Sequence, residues 1–147
     1  MQVATFEACC AQCDRKFVYP DLGDFAYGCF IFTGERGSVF AIFDAIESPI
    51  WERIAAVVAE VRPKISEVLQ GRLIQNVCTL LADRIDGQSL RKGHVCPHCQ
   101  STDWKSWQGA RIGTVELPRV SFCQFLQLPG QDQETEIRRL LLAAPSE

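Results

Sequence analysis

The chain has 147 residues, 47% of them hydrophobic and 22% charged, with a formal net charge of −3. That balance excludes a disordered polymer and describes one globular unit of ordinary size. The acidic excess argues against a general electrostatic grip on nucleic acid, which needs a basic face.

The N-terminal residues Met1 to Glu7 carry no basic start and no apolar run before a small-residue cleavage site. They do not read as an export signal, so a cytoplasmic location with reduced thiols is expected. No apolar stretch reaches the roughly 20 residues that a membrane helix needs.

Val3 to Cys9 suits a short strand. Cys10-Ala11-Gln12-Cys13 then makes a turn, and Asp14 to Tyr19 suits a second strand. Pro20 to Asp24 carries turn residues. A hairpin follows, with strands at 27–32 and 38–43 joined by the polar, Gly-bearing loop Thr33-Gly34-Glu35-Arg36-Gly37. Apolar residues occupy both parities of these strands, which predicts cover on both faces, by helices on one side or by a metal lobe.

Ser48-Pro49 opens a helix, with Ser48 as N-cap and apolar positions at 50, 54, 57, 58 and 61, and Pro63 ends it. A second helix is predicted over 64–84 from apolar residues at 65, 68, 69, 73, 77, 80 and 81. Gly71 weakens it, and Asp86-Gly87 closes it. Residues 88–93 are polar and basic, and Cys96-Pro97-His98-Cys99 follows. The alternating segment 103–107 predicts a strand paired with 112–117 through a turn at 108–111. Ser121 to Leu128 fits either a strand or a short helix. The tail to Ala144 predicts a helix with Ile137, Leu140 and Leu141 on one face.

The strongest signal is the pair of Cys-x-x-Cys segments, whose inner members Cys13 and Cys96 are 83 positions apart. Each is a two-thiolate pincer, and two pincers complete the four-sulfur tetrahedron that Zn²⁺ prefers. One structural zinc on Cys10, Cys13, Cys96 and Cys99 is the expectation. Other readings are open at this stage: Cys9 in place of Cys10, His94 or His98 in a Cys₃His site, Fe²⁺ in place of zinc, or four ordinary thiols. A secreted disulfide framework conflicts with the missing export signal. Cys29, Cys78 and Cys123 sit in apolar stretches and read as small core residues.

Cys10-x2-Cys13 with Phe17, and Cys96-Pro97-x-Cys99 with a following Trp-bearing segment, resemble the two knuckles of a zinc ribbon. The resemblance implies an α+β fold. Its zinc-ribbon lobe is formed by the N-terminal and C-terminal knuckles, 1–19 plus 93–117. A β-hairpin and two-helix segment, 25–87, is inserted between them, and a C-terminal helix spans 130–144. Together these make one domain, 1–147. The whole chain is also similar to small bacterial proteins with this arrangement, and immunity proteins of bacterial toxin systems include zinc-bearing members of this size. That similarity implies a protein partner.

No catalytic constellation stands out. His94-Val95-Cys96 lacks the Glu of zinc deaminases, and His-Glu-x-x-His, Gly-x-Ser-x-Gly and phosphate-loop patterns are absent. A non-enzymatic binding protein is therefore expected. Asp21, Asp24, Asp44 and Glu47, at the ends of the hairpin, are the candidates for contact with a basic partner protein such as a toxin. The alternative is a nucleic-acid contact through Arg91, Lys92, Lys105 and Arg111 beside Trp104 and Trp107. The tryptophans also read as ribbon core.

Overall fold

A computed structural model describes residues 1–23, 26–106 and 109–144. The protein is mixed α and β, with two antiparallel sheets and four helices among the described residues. The strands are β1 (Gln2–Cys10), β2 (Lys16–Asp21), β3 (Cys29–Gly34), β4 (Phe40–Asp44), β5 (Leu90–Lys92), β6 (Trp104–Ser106) and β7 (Gly113–Glu116). The helices are α1 (Pro49–Val61), α2 (Glu67–Leu81), α3 (Cys123–Leu126) and α4 (Gly130–Ala143). No helix among the described residues is long and apolar enough to cross a membrane.

The first sheet is built around β1. β2 lies along one edge, with Phe6 opposite Tyr19 and Ala8 opposite Phe17. The other edge of β1 takes two short strands end to end, β7 beside Gln2–Thr5 and β6 beside Cys9–Cys10. The hairpin expected between 103–107 and 112–117 is therefore replaced by a shared partner. Nine residues of β1 leave room for both strands, and a register shift between Cys9 and Cys10 re-aims the strand where β6 begins. Trp107 lies outside the described residues.

The second sheet runs β4-β3-β5, with Phe30 opposite Phe43 and Ile31 opposite Ile42. Its two parities explain its composition. Phe30, Phe32 and Phe43 join the core made by α1, α2, α3 and α4. Ile31, Phe40 and Ile42 pack on the opposite face against Val3 and Leu117 of the first sheet's side. The sheet is thus a middle layer between the helices and the first sheet. Residues 118–120 also cover the open edge of β4: the Ile42 amide donates to the Pro118 carbonyl at 2.8 Å, and the Val120 amide to that of Ile42 at 2.8 Å.

Helix α1 begins where Ser48-Pro49 predicts, although the Ser48 side chain makes no capping bond. Helix α2 is shorter than the expected 64–84. Ser66 caps it, accepting from the Leu69 amide at 3.3 Å. It stops at Leu81, and Asp86-Gly87 instead forms a tight turn between Ile85 and Gln88, with φ of 49° and 71°. That turn delivers the chain to β5, a strand with no clear apolar alternation. Gly71 lies inside α2 with open space where a Cβ would sit. Gly71→Ala is expected to raise stability by about 1 kcal/mol, read as a higher denaturation midpoint.

The ambiguous segment 121–128 is a short helix capped from afar. Asp83 accepts from the Ser121 hydroxyl at 2.7 Å and from the amides of Cys123 and Gln124 at 2.6 and 3.0 Å. Burial pushes against the charged form of Asp83, but these donors together hold its carboxyl below the ordinary 3.8. Asp83→Ala should cost about 1–2 kcal/mol at neutral pH. A carboxyl depressed by folding stabilises above its unfolded value and loses that contribution as pH falls through the folded one. The gap between wild type and Asp83→Ala should therefore shrink in melts taken at pH 3.

Candidate metal centre

The two Cys-x-x-Cys segments fold into matching loops. In the first, the Asp14 amide donates to the Cys10 carbonyl at 3.1 Å and the Cys10 amide to that of Arg15 at 3.0 Å. In the second, the Gln100 amide donates to the Cys96 carbonyl at 2.8 Å and the Cys96 amide to that of Ser101 at 2.9 Å. In both, the residue after the second Cys is left-handed, Asp14 with φ 62° and Gln100 with φ 60°. The loops are joined directly, since the Ala11 amide donates to the Asp103 carbonyl at 2.8 Å.

This arrangement brings Cys10, Cys13, Cys96 and Cys99 together, with all four sulfurs within 4.8 Å of one another. Cys10 Sγ lies 3.5 Å from that of Cys99, and Cys13 Sγ 3.7 Å from that of Cys96. A tetrahedron with metal–sulfur bonds of about 2.3 Å has edges of about 3.8 Å, so the cluster is sized for one ion. The Gln12 amide donates to Cys10 Sγ at 3.3 Å, the kind of bond that steadies a thiolate. The Cys13 amide, against the opposing effect of burial and with help from Gln12, brings the Cys10 thiol down to about 7. The Ser101 amide favours the Cys99 thiolate, but burial and the three neighbouring sulfurs outweigh it and push that thiol up to about 12. The Cys99 thiol thus holds its proton at neutral pH. Binding a divalent ion must therefore displace protons.

The walls are aromatic. Ala8, Phe17, Tyr19, Phe6 and Trp104 pack around the sulfurs. The ring of Trp104 meets Tyr19 at 4.9 Å and Phe17 at 5.1 Å, both edge to face. Trp104 thus serves the metal lobe's core.

The other candidate ligands are placed elsewhere. Cys9 points to the opposite face of β1 from Cys10, and its thiol contacts the backbone and carboxylate of Asp14. His98 is exposed and donates to the Lys16 carbonyl at 3.3 Å. His94 is half-buried. Its Nδ1 bonds the buried Thr33 hydroxyl at 3.1 Å, and its ring sits among Tyr19, Phe40 and Trp104. Burial lowers its affinity for a proton, a trend that Asp21 partly opposes. His94 therefore joins the metal lobe to the second sheet, a role with no signal in sequence beyond its closeness to Cys96. Cys78 is fully buried, and burial pushes its thiol up to about 12. Cys29 is half-buried and Cys123 is exposed, so Cys123 is not the core residue expected of it.

The residues of the two candidate binding sets stand on several elements. Asp21 accepts from the Gly23 amide at 2.7 Å, and Asp44 from those of Ile46 and Glu47 at 3.0 and 3.3 Å. Glu47 pairs with Arg119 at 3.4 Å. Asp24 lies outside the described residues. Among the basic residues, Lys105 is paired with Asp14 beside the first knuckle. Arg91 and Lys92 stand on β5 of the other sheet, and Arg111 is exposed just before β7. Comparison with protein-family models, curated proteins and solved structures returned no match.

Proposed function

We propose that this chain is a non-catalytic module that binds another protein, its metal lobe stapled by one structural Zn²⁺ on Cys10, Cys13, Cys96 and Cys99. The observation that carries the reading is the closed four-sulfur set. Protein sulfurs take every corner of the tetrahedron, which leaves no position for a substrate or an activated water. Four thiolates suit zinc or iron, and zinc is the usual occupant of such structural sites. The most specific form of the reading is an immunity-type inhibitor of a bacterial toxin. Small size, acidic balance and the lack of a catalytic motif in the sequence support it.

Metal analysis of natively purified protein should find one zinc per chain, and cobalt substitution should give the visible bands of a tetrahedral thiolate site. Purification without metal would remove the staple. Capture from the native host, with co-expression beside the product of the adjacent gene, tests the partner. A toxicity left unrelieved removes the immunity reading. A nucleic-acid reading has less support, since Lys105 is paired with Asp14 and Trp104 packs into the metal lobe. A gel shift that fades steeply with salt would favour it.

A further inference from the structure

The apolar repeat that predicted α2 contains more positions than one buried face can hold. Ile74, Val77, Cys78 and Leu81 enter the core. Leu80, by contrast, is 64% exposed. Leu69, Leu73 and Leu80 follow one another at helical steps beside that face and line a groove between α2 and the last turn of α4.

Two adjoining cavities make the groove, about 560 Å³ and 70 Å³, and they meet at Asn76 and Ala144. Leu90 and Leu140 complete the apolar floor of the larger one, and the small side chains of Ala143 and Ala144 keep its α4 side low. The described lining holds four cations, Arg62, Arg72, Arg91 and Lys92, and no carboxylate. In a chain of net charge −3, that is a local reversal of sign. Arg62, Arg72 and Arg91 have no ion-pair partner among the described residues. The lining also holds no aromatic ring, so it offers no platform for stacking nucleic-acid bases.

We infer that this groove docks an acidic, aliphatic peptide segment of the partner protein, laid along α2 with its apolar side chains on the leucines and its carboxylates on the arginines. From Leu69 to Leu80 the groove runs about 17 Å at 1.5 Å per residue, the length of roughly three helical turns. Helix-in-groove recognition uses apolar anchors at such spacing, and complementary charge fixes orientation and speeds encounter. The inference rests on the protein-binding reading above.

The test is selection from a random peptide library displayed on phage, against the zinc-loaded full chain. Binding of the selected peptides is then measured by fluorescence anisotropy. The expected peptides are rich in Asp and Glu, with Leu, Ile or Val at three- and four-residue steps. The double variant Arg72→Glu with Arg91→Glu should weaken them at least tenfold, and Leu80→Asp should do the same. All three side chains are exposed, and thermal melts would check that the fold is retained. Affinity should also fall as salt rises from 50 to 500 mM. Peptides without acidic bias, or equally tight binding to the charge-reversed variant, overturn the groove and leave the protein-binding reading standing. An empty selection likewise removes the groove proposal, while capture from the native host still tests that reading. A dimer of this chain broken by Leu80→Asp would make the groove a self-interface and overturn the proposal.

Discussion

Cys96→Ala is expected to lower the melting temperature by about 10–20 °C and to abolish stoichiometric metal binding. Cys96 is fully buried, and its sulfur sits 3.7 Å from that of Cys13 at the far end of the chain. Ligand binding of this kind is folding free energy, because the pincers meet only in the folded chain. Loss of a structural metal belongs to the small class of changes worth about 4–5 kcal/mol or more. For a domain of this size each kcal/mol moves the midpoint by about 3–4 °C. Strong chelation should reproduce the shift in the wild type, and Cys123→Ala, at an exposed thiol, should not. The helical core contains none of the four cysteines, so far-UV helical signal should outlast the metal lobe. A melt unchanged by both Cys96→Ala and chelation would refute the staple.

Gly37→Ala should be nearly as damaging, for a different reason. Gly37 has φ +76°, and a Cβ there would lie 2.5 Å from the Val95 carbonyl oxygen and 3.2 Å from Pro97 Cα. The left-handed conformation costs a side-chain-bearing residue about 1–2 kcal/mol. The contact adds to that, because its closest partner is a backbone carbonyl that cannot swing aside, with the Val95 side chain also 3.0 Å away. A total of about 2–4 kcal/mol is expected from denaturant unfolding. Pro97 lies between Cys96 and Cys99, so the displaced backbone is the second knuckle itself. Disturbing such supporting structure typically costs 10–100-fold in metal affinity, to be measured by competition with a chromophoric chelator. Stability within 0.5 kcal/mol of wild type and unaltered metal competition would show that the β3–β4 turn does not brace the site.

Much of this was legible because the physics is local. The Cys-x-x-Cys pairs name their chemistry through spacing. The mixed parity of 27–32 and 38–43 foretells a sheet covered twice, and Phe32 and Ile42 do point to opposite layers. Partner choice was less legible. Nothing in 103–107 or 112–117 says that both strands add to β1 and not to each other, since alternation specifies a face and leaves the neighbour open. β5 is three residues long and ends in Arg91-Lys92, too short and polar to announce a strand. The cap of α3 comes from Asp83, about 40 positions away, where no motif can reach it. In α2, seven apolar positions cover more than one face, and only packing decides that Val77 enters the core while Leu80 stays out.

β1 stands in the middle of its sheet, yet its neighbours at 104–106 and 113–116 come late in the chain. During synthesis at about 5–20 residues per second, some 5–20 s pass before the ribosome supplies them. For that interval Cys10 and Cys13 are a lone dithiol, without the other half of their cage. In that interval they lack the sulfurs of Cys96 and Cys99, which lie within 4.8 Å of them in the folded protein. Thiol-trapping of stalled nascent chains, with Cys10 and Cys13 labelled until residue 99 clears the exit tunnel and shielded afterwards, would record the closing of that window.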